Sequence, residues 1–123
     1  MGKRILIVDD EPNIVISLEY LMKKEGFEVA VAADGAAALE MVASFAPDLL
    51  LLDVMMPKKS GFEVCQALRA DPSQAGIKVL MLTAKGRESE LAKGMALGAD
   101  AYVTKPFSTK DLVARVKSML EIL

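Results

Sequence analysis

Leu49-Leu50-Leu51-Leu52-Asp53 is the stretch on which the reading of this chain turns. A continuous apolar run this short suits a strand buried on both faces, as in a parallel sheet covered by helices, rather than a strand with one wet face. The acid that ends it is informative too, because an unpaired carboxylate at a buried position is costly. Working outward, four more short apolar runs appear: Ile5–Val8, Val29–Ala32, Val79–Leu82 and Ala101–Thr104. Between them the apolar residues recur with helical period. Ile14, Leu18, Leu21 and Met22 share one face of the first such segment, and Leu112, Val116, Met119, Leu120 and Leu123 one face of the last. Pro12 falls where a first helical turn tolerates it, and Gly26 and Gly98 fall where helices end. Of the five runs, the second is the ambiguous one, since Ala30-Val31-Ala32-Ala33 could also continue into the following helix.

The pattern predicts an α/β fold of (βα)5 type, a doubly wound parallel sheet with helices on both faces. Residues 1–123 read as one domain, without repeat, linker or low-complexity segment. Right-handed crossovers put helices on both faces of such a sheet, and ligands collect beyond the carboxyl ends of its strands. The residues there are Asp9, Asp10 and Glu11 after the first run and Asp53 after the third. Thr83-Ala84 follow the fourth, and Lys105-Pro106 the fifth.

Composition excludes much else. The chain has no histidine, so histidine bases, histidine metal ligands and Ser-His or Cys-His pairs are ruled out. Its one cysteine, Cys65, cannot form an internal disulfide, which fits a reducing, cytoplasmic setting, and its helical context marks it as packing. Fifteen basic residues against seventeen acidic ones, with no basic stripe, argue against direct nucleic-acid binding. No apolar run is long enough to cross a membrane, and the opening Met1–Asp10 is not a signal peptide.

Chemistry therefore falls to Asp, Lys and Thr. If the fold is right, Asp9, Asp10 and Asp53 meet at one edge against the single ammonium of Lys105, leaving two net negative charges. Two like charges about 5 Å apart repel by roughly 3 kcal/mol at an effective dielectric near 20. A divalent cation cancels that excess, and carboxylates without imidazole or thiolate suit a hard ion such as Mg²⁺, for which Mn²⁺ can substitute. A carboxylate can also act as a nucleophile toward phosphorus, giving an aspartyl phosphate. Esterification removes the charge of Asp53 while the phosphoryl brings about two more. Metal and Lys105 together can hold that product, with Thr83 donating a hydroxyl hydrogen bond.

Asp9-Asp10, Asp53-x-x-x-Pro57-x-x-x-Gly61, Thr83-Ala84 and Lys105-Pro106-Phe107 resemble, in order and spacing, the signature of response-regulator receiver domains. The resemblance spans the whole chain. It implies a flavodoxin-like sheet in the order 2-1-3-4-5 and a phosphoryl group taken by Asp53 from the phosphohistidine of a sensor histidine kinase or histidine phosphotransfer protein. It further implies Mg²⁺ held by Asp10, Asp53 and the Met55 backbone carbonyl, with Asp9 acting through water. Thr83 and Lys105 would contact the phosphoryl, the Lys105-Pro106 bond would be cis, and Tyr102 would be an aromatic switch. The face made by the helix after the fourth strand, the fifth strand and the last helix would then change and meet an output partner.

The chain departs from the family's pattern at Lys58-Lys59-Ser60, where a Gly and an acid are frequent. Met55 and Lys85 stand at positions that tune dephosphorylation in the family. Asp100, Asp111 and Arg115 resemble charges that pair transcriptional receivers into dimers, but Ala101 replaces an acid, so a homodimer on phosphorylation remains an open expectation. The chain would be either a stand-alone receiver or the receiver of a longer DNA-binding regulator. A haloacid-dehalogenase-type phosphatase would carry Asp-x-Asp after its first strand, and a flavodoxin would need a Ser/Thr/Gly phosphate loop where Asp9-Asp10-Glu11 stand. Neither pattern is present.

Overall fold

All five apolar runs form strands, and they lie side by side in one parallel sheet. The structure is a computed structural model that describes residues 3–54, 60–84, 92–93, 95–105 and 107–120, with Ala84 by its backbone alone. The strands are β1 (Arg4–Val8), β2 (Glu28–Ala32), β3 (Leu49–Asp53), β4 (Lys78–Ala84) and β5 (Ala101–Lys105), in the order β2-β1-β3-β4-β5. The helices α1 (Pro12–Lys24), α2 (Gly35–Phe45), α3 (Gly61–Ala70) and α4 (Thr109–Met119) make four among the described residues. The helix expected between the fourth and fifth strands falls largely outside them.

Alternation along the strands divides the core in two, because successive side chains point to opposite faces. Leu6, Val8, Leu50, Leu52, Val79 and Met81 pack on α2 and α3 through Ala38, Val42, Val64, Cys65 and Leu68. Ile5, Ile7, Leu49, Leu51, Leu80 and Leu82 pack on α1 and α4 through Leu18, Met22, Leu112 and Val116. Leu49 to Leu52 are all fully buried, as expected of a central strand covered on both sides. The doubtful second run ends where Asp34 caps α2: its Oδ1 accepts from the Ala37 N–H at 2.8 Å, which separates strand from helix. Pro12 opens α1, and both Gly26 and Gly98 have the positive φ that glycine adopts without a Cβ clash.

Register brings the chemistry to one edge. Val8 pairs with Leu52 and Asp53 with Leu82, so Asp9 and Asp53 emerge from adjacent strands at nearly the same height. Thr83 pairs with Thr104 and Ala84 with Lys105, which sets Lys105 at the same end. At the opposite end, Arg69 ties three segments together. Its Nε donates to Gly98 O at 2.8 Å, its Nη1 to Ala75 O at 3.0 Å and Ile77 O at 2.8 Å, and its Nη2 to Asp100 Oδ2 at 2.8 Å. The same Asp100 oxygen accepts from the Val79 N–H at 2.8 Å.

Candidate metal and phosphoryl site

Asp9 and Asp10 follow β1, and neither caps the helix after them. The N-cap of α1 is Glu11, whose side chain makes no capping bond. Asp9 instead turns inward: it is 1% exposed, accepts from the Glu11 N–H through Oδ1 at 2.9 Å, and accepts from Lys105 Nζ through Oδ2 at 3.2 Å. Asp53, at the end of β3, is also buried, with Oδ1 3.7 Å from Lys105 Nζ. Asp10 is the exposed member. The three carboxylates each offer an oxygen, and these oxygens all lie within 4.8 Å of one another.

An acidic triad of this kind fits a hard divalent cation, since its donors are all oxygen and two of the acids are withdrawn from water. A second observation concerns an anion. Thr83 is 2% exposed and its Oγ1 has no hydrogen-bond partner among the described residues. A buried hydroxyl left unpaired is destabilising by about 1–3 kcal/mol, so its presence beside this triad marks a place where an acceptor oxygen would be favoured.

Among the described residues, Lys105 is the cation of the site. Burial lowers its pKa, but Asp53, Asp9 and Glu11 together outweigh that effect, and the net value lies above the ordinary 10.5. Its charge is thus secured across the physiological range. Of the other residues singled out from the sequence, Tyr102 lies on β5 with 42% of its surface exposed. Met55, Pro57, Lys58, Lys59, Lys85 and Pro106, and with Pro106 the expected cis bond, lie outside the described residues, and Ala84 contributes only its place in β4. Cys65 is fully buried, its Sγ 3.7 Å from Leu97 O, and burial, only partly countered by Arg69, pushes its thiol pKa up. That is a packing cysteine. Asp100 is engaged by Arg69 and Val79 within the chain.

Two residues that the sequence reading named without a role take part in this arrangement. Glu11 reaches Lys105 with Oε1 at 3.5 Å, a role its position after Asp9-Asp10 could have suggested. Gly61, the first residue of α3, lies against the end of β3: a Cβ there would overlap the Asp53 carbonyl oxygen and come within 2.9 Å of Val54 Cα. Its N–H donates to Val54 O at 2.9 Å. The helix start, capped by Ser60 and Glu63 in a reciprocal box, is thereby held close behind Asp53.

Comparison with known proteins agrees with this geometry. The chain is 48% identical over 120 residues to the alkaline phosphatase synthesis transcriptional regulatory protein PhoP of Bacillus subtilis, a match that takes in 98% of this chain and 49% of that protein. It spans about half the length of the curated relatives it matches. Among solved structures, a candidate response regulator from Chloroflexus aurantiacus J-10-fl superposes with a TM-score of 0.94 at 37% identity, covering 98% of this chain and 99% of that one. The DrrB receiver domain activated with BeF3 superposes at 0.88 with 35% identity, over 98% and 99% of the two chains. The family model for the response regulator receiver domain matches residues 5–117. With that match over an acidic site at the sheet's carboxyl edge, the chain belongs to the response regulator receiver domains of two-component signalling.

Proposed function

We propose that Asp53 is the phosphoacceptor of this receiver and that residues 1–123 work as one switching domain. The observation that carries the reading is the convergence of the Asp9, Asp10 and Asp53 carboxylates within 4.8 Å of one another. Among the three, Asp53 is the one at the end of the central strand. Asp9 is the most deeply withdrawn of them, and Asp10 faces solvent. Asp10 and Asp53, with the backbone carbonyl of Met55, would hold Mg²⁺ or Mn²⁺, and Asp9 would act through water. The ion would neutralise charge on the phosphoryl group as it is transferred.

Lys105 and Thr83 supply the protein's own contacts. Lys105 donates to a phosphoryl oxygen, and Thr83 satisfies its unpartnered hydroxyl on another. A ligand shifts a conformational equilibrium only by its differential affinity for the two states. Drawing Thr83 toward the phosphoryl supplies that difference, and the exposed Tyr102 then moves toward the space Thr83 leaves. The face formed by β5, α4 and the helix that precedes β5 would carry the change to an output partner. Receiver domains take phosphate from a histidine kinase, and a sensor kinase or a phosphotransfer protein is the donor proposed for this one.

Acetyl phosphate with Mg²⁺ should add about 80 Da, labile to base, and Asp53→Asn should abolish the adduct. An adduct of the same mass in that variant would place the acceptor elsewhere. A second reading concerns architecture: the chain spans 49% of PhoP and 51% of the DNA-binding response regulator MtrA of Mycolicibacterium smegmatis, so it also fits the receiver segment of a longer DNA-binding regulator. In that setting phosphorylation would act by pairing two receivers. Sedimentation of the beryllofluoride-treated protein separates the two, since a monomer at all concentrations would disfavour pairing through this domain.

A further inference from the structure

Among the described residues Lys105 faces three carboxylates, and that of Asp53 is the most distant of them. Its Nζ stands 3.2 Å from Asp9 Oδ2, 3.5 Å from Glu11 Oε1 and 3.7 Å from Asp53 Oδ1. An ammonium has three donors. With these acids around it, each donor has a carboxylate to face before any phosphoryl oxygen arrives.

Glu11 is the unexpected member. It stands at the N-cap of α1, where its side chain makes no capping bond and is free to point elsewhere. Its backbone does the local work: the N–H donates to Asp9 Oδ1 and the carbonyl accepts from the Val15 N–H at 3.0 Å. The carboxylate reaches across to Lys105 while 61% of the side chain stays exposed. The Asp9 contact is shorter and fully buried on its acidic side. Of the two contacts from the β1 loop, that of Glu11 is therefore the easier to exchange.

Resting on the reading of Asp53 as acceptor, we propose that Glu11 is a positioning residue that holds Lys105 toward the β1 loop and competes with the phosphoryl group for its ammonium. Before phosphorylation Lys105 is shared among Asp9, Glu11 and Asp53. Afterwards the charge that was on Asp53 is carried by phosphoryl oxygens, and one of these takes the place of Glu11. Glu11 thus favours the resting state over the phosphorylated one, by the amount an exposed ion pair contributes.

Fluorine NMR of beryllofluoride binding in the presence of Mg²⁺ tests this with two variants. Glu11→Gln keeps the length and removes the charge, whereas Glu11→Asp keeps the charge and shortens the arm. Both should tighten beryllofluoride binding by about two- to fivefold, the effect of losing an exposed ion pair. The wild type should bind Mg²⁺ more tightly than Glu11→Gln and about as tightly as Glu11→Asp. In a Lys105→Met background Glu11→Gln should change beryllofluoride binding no further, because the lysine it acts through is gone. Wild type that takes no beryllofluoride with Mg²⁺ would sink the reading of the site itself. Normal wild-type binding with both variants unchanged, with only the Gln variant tighter, or with the same gain without Lys105, would overturn the role of Glu11 alone.

Discussion

Gly61 and Asp53 touch through their backbones: the space a Cβ on Gly61 would need is filled by the Asp53 carbonyl oxygen, and Val54 Cα is 2.9 Å from the same point. The first turn of α3 can therefore sit directly behind the end of β3 only if residue 61 has no side chain. Gly61→Ala forces the strand end and the helix apart. It should destabilise the protein by about 1–3 kcal/mol, as overpacking of a tight contact does. Urea unfolding gives that number, and the rate of acetyl phosphate labelling should fall in the folded variant, because Asp53 moves with its backbone. Unchanged stability would mean that the contact relaxes freely.

Thr83 offers the opposite case. Its hydroxyl is buried without a partner among the described residues, so the isosteric Thr83→Val removes an unsatisfied donor and keeps the volume. The unphosphorylated, metal-free protein should gain about 1 kcal/mol. Beryllofluoride affinity should fall in the same variant, because the hydroxyl is the group the phosphoryl would satisfy. Stability and response would thus move in opposite directions. A loss of melting temperature would show instead that the hydroxyl has a partner in the resting protein.

Asp10 is the exposed acid of the triad, adding charge where Asp9 and Asp53 already repel it. Asp10→Asn should stabilise the metal-free protein and raise its melting midpoint, the gain being about 1 kcal/mol or less once solvent screening is allowed for. Adding Mg²⁺ should stabilise the wild type and leave the variant nearly unmoved, reversing their order. Calorimetry with and without Mg²⁺ decides it, and a variant that melts lower in both conditions would make Asp10 structural.

The raised pKa of Lys105 has a definite sign at alkaline pH. Its folded-state value lies above 10.5, lifted by Asp53, Asp9 and Glu11 against the opposing effect of burial. The stabilisation it provides is fully present below 10.5 and is lost as the pH rises through the folded value. Wild type should therefore lose stability above about pH 10.5 relative to Lys105→Met, and their difference should be flat from neutral pH to that point. Denaturant midpoints of both proteins across that range measure it. A difference that already shrinks near neutral pH would contradict the assignment.

Arg69 tests the far end of the sheet. Its guanidinium holds the carbonyls of Gly98, Ala75 and Ile77 and the carboxylate of Asp100. Arg69→Met keeps the aliphatic stem and removes the donor to all four, leaving Asp100, among the described residues, only the Val79 N–H. The expected loss is about 2–3 kcal/mol, and beryllofluoride binding should survive in the folded variant, since Arg69 serves the end of the sheet opposite the acids. A loss of binding without a loss of stability would tie Arg69 to the site itself.

The strands were legible because burial on both faces leaves a local record: Ile5–Val8 and Leu49–Leu52 are apolar at every position, and the structure extends each by one residue. The acids, Thr83 and Lys105 were legible as residues that end those runs, a place the doubly wound topology gives to ligands. Short-range pattern could not say which polar atoms would meet. Lys105 and Asp9 are 96 positions apart, and their contact depends on the register of β4 on β5 and of β1 on β3, fixed by packing across the whole sheet. Glu11 stood in the sequence only as a neighbour of Asp9-Asp10, and nothing local to Arg69 marked the four acceptors it meets.

From its order of residues alone, the chain specified five strands of a helix-covered sheet and the chemical types gathered at their carboxyl ends, since hydrophobic period and strand-terminal position are properties of neighbours along the chain. Only the folded molecule decided that Lys105 lies nearer Asp9 and Glu11 than Asp53, that the Thr83 hydroxyl is buried without a partner among the described residues, and that Gly61 leaves no room for a side chain. Those are distances between segments far apart in sequence, set by how strands and helices pack, and no local pattern encodes them.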